Sequence, residues 1–183
     1  MKFSYPPHFE HDNEPAMWQN PYEFRMTIKF LESIDAKSLL EIGTGYGEMA
    51  RFLRDIKDMH IRSIDKNPMY AHYDSKELFV ADSTSERAYN WALSNAPPGL
   101  YDVVYIDGGH DFDTCFHDYN TYTCLARRAV IIHDIDANQA GKYPVEWGPY
   151  LVWKKARLDY RTIEIHAKHP ENCGVGICII GGI

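Results

Sequence analysis

The sequence predicts an α/β protein with a mostly parallel sheet, helices on both faces, and an antiparallel hairpin at the C-terminal end. Three observations carry this expectation. Short apolar runs alternate with amphipathic stretches along most of the 183 residues. The run SLLEIGTGYGEMARFL, Ser38 to Leu53, sets three glycines in five positions between an apolar run and an amphipathic one, as a strand-to-helix turn would. The last two apolar runs, YRTIEIHA and CGVGICII, are joined only by the polar link KHPEN, which suits a hairpin and not a parallel crossover.

Taken in order, the first twenty residues are polar and proline-punctuated, and residues 1–20 are expected to form an arm over the body. Residues 21–35 read as a helix that begins at Pro21, with Phe24, Ile28, Leu31 and Ile34 on one stripe. AKSLLEIG is a buried strand, and EMARFLRDI a helix with Met49, Phe52, Leu53 and Ile56 inward. MHIRSID is a second strand ending in Asp65, followed by a short helix NPMYAHY capped by Asn67. KELFVAD is a third strand and STSERAYNWALSNA a third helix, where the Ser83 to Glu86 spacing fits a capping box. After the breaker PPG come a fourth strand YDVVYID, a helix DFDTCFHDYNTYTCLA and a fifth strand RAVIIHD. A loop from Ile135 to Trp147 leads into the helix GPYLVWKKAR and then the closing hairpin.

Composition bounds the function. The length suits one domain spanning 1–183, and 45% hydrophobic with 25% charged residues is ordinary for a globular chain. A formal charge of -7 argues against nucleic acid as a partner, since that needs basic surface to neutralise phosphates. Arg127-Arg128 and the Lys154 to Arg157 cluster read as surface charge near element ends. No run of 18 apolar residues exists and the N-terminus lacks the apolar core of a signal peptide, so a cytoplasmic protein with no membrane partner is expected. The four cysteines show no C-x-x-C pairing and read as reduced thiols, mostly filling core.

The glycine turn is the most informative stretch. A dinucleotide fingerprint runs G-x-G-x-x-G, but here the third glycine comes early, as Gly43-Thr44-Gly45-Tyr46-Gly47, and Glu48 takes the place of the last one. Glu48 and Glu41 bring negative charge to a helix start, which repels a pyrophosphate and suits a ligand carrying an ammonium and a sulfonium. S-adenosylmethionine is such a ligand. Asp65 follows Gly45 by 20 residues, the reach needed for ribose hydroxyls. Asp65, Asp82, Asp107 and Asp134 close successive predicted strands after the glycine turn, and in open parallel sheets ligands sit at those ends.

Acidic-x-Gly-x-Gly-x-Gly after the first strand, an acidic end to the second and Asp-Ser after the third resemble the class I S-adenosylmethionine-dependent methyltransferases. That resemblance implies a Rossmann-like seven-stranded sheet and extends over nearly the whole chain. It implies that Gly43, Gly45 and Gly47 line the methionine and sugar portions of the cofactor, with Glu41 near the amino group. Asp65 would hold the ribose, and Asp82 with Ser83 would meet the adenine edge. A tight turn that binds nothing is the plain alternative for the glycines, and a helix-start role the alternative for Asp82.

A second constellation joins YIDGGHDFDTCFHDY to AVIIHDIDAN. IDGGH before a helix, with IIHD at the next strand end, resembles small-molecule O-methyltransferases and the related cephalosporin-hydroxylase-like proteins. In such relatives acidic residues at these two ends hold a divalent cation; the matching residues are Asp107 and Asp134. Two carboxylates and water suit magnesium, whereas His110 and His133 favour softer metals such as zinc or iron, or serve as a general base. His133 as a backbone-satisfied core imidazole stays open, and His117 with Asp113 reads as a solvated helix face. The chain departs from the family in carrying Arg127-Arg128 where a glycine pair is usual and His133-Asp134 where Asp-Asn or Glu-Asp is common. No Asn/Asp-Pro-Pro-Tyr motif and no cysteine at the fourth strand end are present, which favours an oxygen acceptor on a small molecule, roofed by the arm and by Tyr143 and Trp147. A nicotinamide oxidoreductase, a hydroxylase-like relative and a non-catalytic binding module are the competing readings.

Overall fold

The computed structural model describes residues 19–67, 77–136, 147–168 and 173–181. Helix α1 (Pro21–Ser33) starts where Asn20 caps it, the side chain accepting from the N–H groups of Tyr22 and Glu23 with proline in the first turn. Its apolar stripe then feeds β1 (Ser38–Ile42), buried at every residue, and α2 (Glu48–Lys57). The chain continues through β2 (His60–Asp65), β3 (Leu78–Val80), α3 (Glu86–Ser94), β4 (Tyr101–Ile106), α4 (Phe112–Tyr122), β5 (Ala126–His133), α5 (Gly148–Asp159), β6 (Arg161–Ile165) and β7 (Val175–Ile179).

The strands form one seven-stranded sheet in the order β3-β2-β1-β4-β5-β7-β6. β1 pairs in parallel with β2 and β4, and β4 with β5, while β7 runs antiparallel to both β5 and β6. The expected α/β architecture with a closing hairpin is therefore present. The order reverses direction between β1 and β4, which opens a crevice at their carboxyl ends.

Alternation along the strands splits the core into two layers. Leu40, Ile42, Val104, Ile106, Val130 and Ile132 face α3, α4 and α5, meeting Ala88, Tyr122 and Val152. Leu39, Val103, Tyr105, Ala129 and Ile131 point the other way, onto Phe24, Ile28, Leu31, Met49 and Leu53 of α1 and α2. Fully burying each large aliphatic side chain contributes about 1.5–3 kcal/mol, so both helical layers are held by the same sheet.

At the amino ends of the strands Asp102 ties the sheet together. Its fully buried carboxylate accepts from the N–H groups of Lys37 and Ser38 at 2.7 and 3.1 Å, and pairs with Arg127 Nε at 2.6 Å and Arg128 Nε at 3.1 Å. Burial works against the ionised form, but Arg127 and the backbone donors outweigh it and hold the Asp102 pKa low. Arg127-Arg128 thus does more than decorate a surface: where the family resemblance expects glycines, these arginines pin the start of β5 to β1.

Several expectations change. Ser83 is not the cap of the third helix; Ser85 is, its hydroxyl accepting from Ala88 N–H at 3.3 Å, because Asp82 and Thr84 close a separate turn first. The third strand covers only Leu78–Val80, and the fourth helix ends in a 3₁₀ turn at Thr123–Leu125 before β5. Of the cysteines, Cys115 and Cys178 are buried, Cys173 is half-buried and Cys124 is exposed; all are free thiols. His117 is 41% exposed, on a solvated helix face as expected. The arm up to residue 18, the NPMYAHY helix beyond Asn67, the Ile56 and Glu48 side chains, and Tyr143 lie outside the described residues. Among the described residues no helix is long and apolar enough to cross a membrane.

Candidate functional site

The glycine turn leaves β1 and enters α2 with Gly43, Gly45 and Gly47 all at positive φ, 85°, 51° and 79°. Each has a different reason to be glycine. A Cβ on Gly43 would lie 2.1 Å from the carbonyl oxygen of Asp107, so this residue lets the ends of β1 and β4 meet. A Cβ on Gly45 would meet nothing within 4 Å, because Gly45 faces open space. Gly47 is the left-handed cap of α2 and lies outside the pocket wall.

Asp65 holds this turn. Its Oδ2 accepts from the N–H groups of Thr44 and Gly45, both at 2.9 Å, and its Oδ1 from Asn67 N–H at 2.7 Å. The acid expected to meet a ribose is thus also the brace of the glycine turn. Beneath it Glu41 is 2% exposed and accepts from Ser63 Oγ at 2.7 Å. Burial pushes its pKa up to about 7, against the Thr44 and Ser63 hydroxyls that favour the ionised form.

These residues wall one cavity of about 640 Å³, within the range of small-ligand and cofactor sites. It runs from Gln19 and His133 past Gly45 and Asp65 to Asp82 and Ser83. Asp82 is exposed and turned back on its own chain, its Oδ1 accepting from Thr84 N–H at 3.0 Å and Thr84 Oγ at 2.8 Å. That hydrogen-bonded turn holds its pKa low, and its second oxygen is not used by Thr84.

At the other end of the cavity the adjacent strands β4 and β5 bring four side chains together. Ile106 pairs with Ile132 across the strands, so Asp107 and the His133-Asp134 pair follow side by side. His133 Nδ1 lies 3.3 Å from Asp107 Oδ1 and 3.3 Å from Asp134 Oδ1. His110 Nε2 lies 3.2 Å from Asp134 Oδ2 and 3.8 Å from Asp107 Oδ1. Asp134 sits at φ 61°, a conformation non-glycine residues seldom hold.

Charge explains the protonation here. Burial alone would lower the His133 pKa, but Asp107 and Asp134 raise it well above the ordinary value. The same competition, won by Asp107 and Asp134, raises His110. Asp107 is held well below the usual carboxylate range by His133 and His110 in spite of its burial. His133 is 6% exposed beneath the carboxylates, whereas His110 is 35% exposed toward the cavity. Of the two histidines expected as bases, His110 is the accessible one, and neither ring nitrogen of His133 has a hydrogen-bond partner at ordinary geometry.

Asp107, His110 and Asp134 each offer a donor atom, and these atoms all lie within 4.8 Å of one another. That is compact enough for one divalent ion, and the set is two carboxylates plus an imidazole rather than oxygen alone. His110 was expected as a base; the geometry adds it to the group of ion donors.

Sequence reading missed three wall-building residues. Gln19 reaches over this end, its Nε2 donating to Tyr105 Oη at 2.9 Å and to Asp107 Oδ2 at 3.5 Å. Trp147 donates from Nε1 to the Asp134 carbonyl at 3.2 Å and packs its ring 4.6 Å from that of His110. Glu23, fully buried on α1, accepts from the N–H groups of Ala167, Gly174 and Cys173 at 2.9, 3.0 and 3.3 Å, which seats Cys173 in the wall. Its signal was faint: Glu23 shares a helical face with Thr27 and Phe30, both buried.

No family model matches the chain, and no curated protein matches it significantly in sequence. Solved structures do. A Staphylococcus aureus protein assigned as a caffeoyl-CoA O-methyltransferase superposes with a TM-score of 0.66 at 17% identity, over 94% of this chain and 88% of the other. The O-methyltransferase TomG from Streptomyces achromogenes, involved in tomaymycin synthesis and solved with S-adenosylmethionine, gives 0.57 at 14% identity over 92% and 83%. MycE, a methyltransferase of the mycinamycin biosynthetic pathway solved with magnesium, S-adenosylhomocysteine and mycinamycin VI, gives 0.59 at 16% identity over 86% and 49%. With the seven-stranded order and the hairpin, these similarities establish that the chain has the class I S-adenosylmethionine-dependent methyltransferase fold.

Proposed function

We propose that the protein transfers a methyl group from S-adenosylmethionine to a hydroxyl of a small molecule. The observation that carries this reading is the single cavity joining Gly45, Glu41 and Asp65 to Asp107, His110 and Asp134. Its walls hold five carboxylates, Glu41, Asp65, Asp82, Asp107 and Asp134, against Lys66. Such a wall favours a ligand with an ammonium and a sulfonium over one with a pyrophosphate. The open space at Gly45 accommodates ligand atoms where a side chain would intrude. Glu41, with a pKa near the working pH, becomes the carboxylate partner of an ammonium once one is bound.

The sulfonium is already activated, so the chain's own tasks are alignment and proton removal. Gly43, Gly45 and Asp65 hold the donor, with Asp82 and Ser83 at the nucleobase end. His110 accepts the acceptor hydroxyl's proton at Nε2, oriented by Asp134 and Trp147. His133 remains charged below Asp107 and Asp134 and keeps both ionised. The donor set at Asp107, His110 and Asp134 fits a divalent cation, which would polarise the acceptor hydroxyl there.

Calorimetry with S-adenosylmethionine, S-adenosylhomocysteine and NAD tests the reading. Binding of both sulfur ligands in the micromolar range, about -8 kcal/mol, is expected. Heat with NAD and none with the other two would overturn it.

A further inference from the structure

Asp118 lies one helical turn from the end of α4, fully buried, and neither carboxylate oxygen has a hydrogen-bond partner at ordinary geometry. A buried carboxyl without partners is costly, and the space could be filled by leucine at no such cost. Its position gives the reason. A Cβ on Gly108, the residue after Asp107, would come 3.2 Å from Asp118 Oδ2, so the carboxyl fills the room that glycine leaves. On the other side is the Ser83 turn: Tyr122, the next residue along this face of α4, donates to the Ser83 carbonyl at 2.6 Å. The Ser83 hydroxyl also faces Asp118 and favours its ionised form. Ser83 and Gly108 are both walls of the cavity, at the end expected to take a nucleobase.

We propose that Asp118 is a positioning residue for nucleobase recognition: it draws the Ser83 hydroxyl proton toward itself and leaves the Ser83 oxygen to accept from a donor on the ligand. This deepens, and rests on, the reading of the cavity as an S-adenosylmethionine site. The electrostatic surroundings keep Asp118 responsive. Burial, with Asp82 and Asp111 nearby, pushes its pKa up to about 7, and Ser83 and Lys66 oppose that rise. The chemistry selects the 6-amino group of adenine, a donor, over the 6-oxo group of hypoxanthine, an acceptor. Direct contact between Asp118 and the ligand is not part of the inference, since Asp118 lies behind the wall.

The test compares binding of S-adenosylhomocysteine and its 6-oxo analogue, S-inosylhomocysteine, to the full chain and to Asp118→Leu, Asp118→Asn and Ser83→Ala. The unmodified protein is expected to prefer the adenine ligand by roughly tenfold, the worth of one net hydrogen bond. Asp118→Leu should melt no lower than the unmodified protein yet lose that preference, and Ser83→Ala should lose it to the same extent. The near-isosteric Asp118→Asn carries the same comparison should the leucine variant fold poorly, with a smaller loss of preference. A purely structural Asp118 would change both affinities by one factor and leave their ratio intact, which would overturn the proposal alone. If the unmodified protein bound neither nucleoside, the cofactor reading itself would fall, and this inference with it.

Discussion

Replacing Asp65 by alanine should damage both the fold and the cofactor site, and the two losses can be measured separately. The carboxylate holds three backbone donors, Thr44 and Gly45 at 2.9 Å and Asn67 at 2.7 Å. A hydrogen bond to a charged group contributes about 1.5–3 kcal/mol when water cannot replace it. Here the turn borders an open cavity and water can enter, so the three together should contribute only about 2–3 kcal/mol of stability. For a chain of this size that lowers the melting temperature by about 4–12 °C. Affinity for S-adenosylhomocysteine should fall further, by about 10- to 150-fold, through lost ribose bonds and a disordered turn. Calorimetry and thermal melts on Asp65→Ala and Asp65→Asn read both quantities. Asparagine keeps one acceptor and places a donor where the other was, so it should fall between alanine and the unmodified protein. An unchanged melt in Asp65→Ala would show that the turn does not depend on this carboxylate. Unchanged affinity would remove Asp65 from the cofactor site.

The glycines separate packing from binding. Gly43→Ala, whose Cβ would sit 2.1 Å from a backbone oxygen, should cost about 3 kcal/mol or more in a denaturant titration. Gly45→Ala meets nothing within 4 Å, so it should lose only about 1–2 kcal/mol for its left-handed backbone while weakening S-adenosylhomocysteine binding; equal stability losses would refute the distinction. In chelator-treated protein, manganese or cobalt should raise the melting temperature more than magnesium because His110 is among the donors. His110→Ala should narrow that difference, and no shift with any ion would remove the metal site. Away from the cavity, His166 Nδ1 lies 2.5 Å from Asp136 and Nε2 3.0 Å from Glu164. Burial pulls its pKa down, but these two carboxylates outweigh it and leave it raised. Its stabilisation is therefore complete below the unfolded value near 6.5 and disappears as pH rises through the raised folded value. Relative to His166→Gln, the unmodified protein should be more stable at pH 6 and converge with it at pH 9; a constant difference across that range would sink the assignment.

What was legible in the sequence was what depends on neighbours along the chain. Alternating apolar runs gave the strands, and the acid closing each strand needed no knowledge of any partner to be placed at the carboxyl edge. Asp65 and the glycine turn were readable together because their spacing is a property of one βαβ unit. The parts that were not legible involve charged residues whose partners are remote. Glu23 reaches residues 144 to 151 positions away, and Asp102 reaches 64 and 25 positions to hold β1 and β5. On their own elements both look like solvated acids, since no local pattern says which backbone will arrive to satisfy them. Asp118 is harder still: its neighbours Ser83 and Gly108 come from two different strand ends, and its polar demand is incomplete in the protein alone. A carboxylate satisfied by remote backbone, as in Glu23, belongs to the fold. One that stays unsatisfied behind a cavity wall belongs to what the cavity receives, which is why Asp118, and not the better-bonded Glu23 or Asp102, marks the nucleobase end of the site.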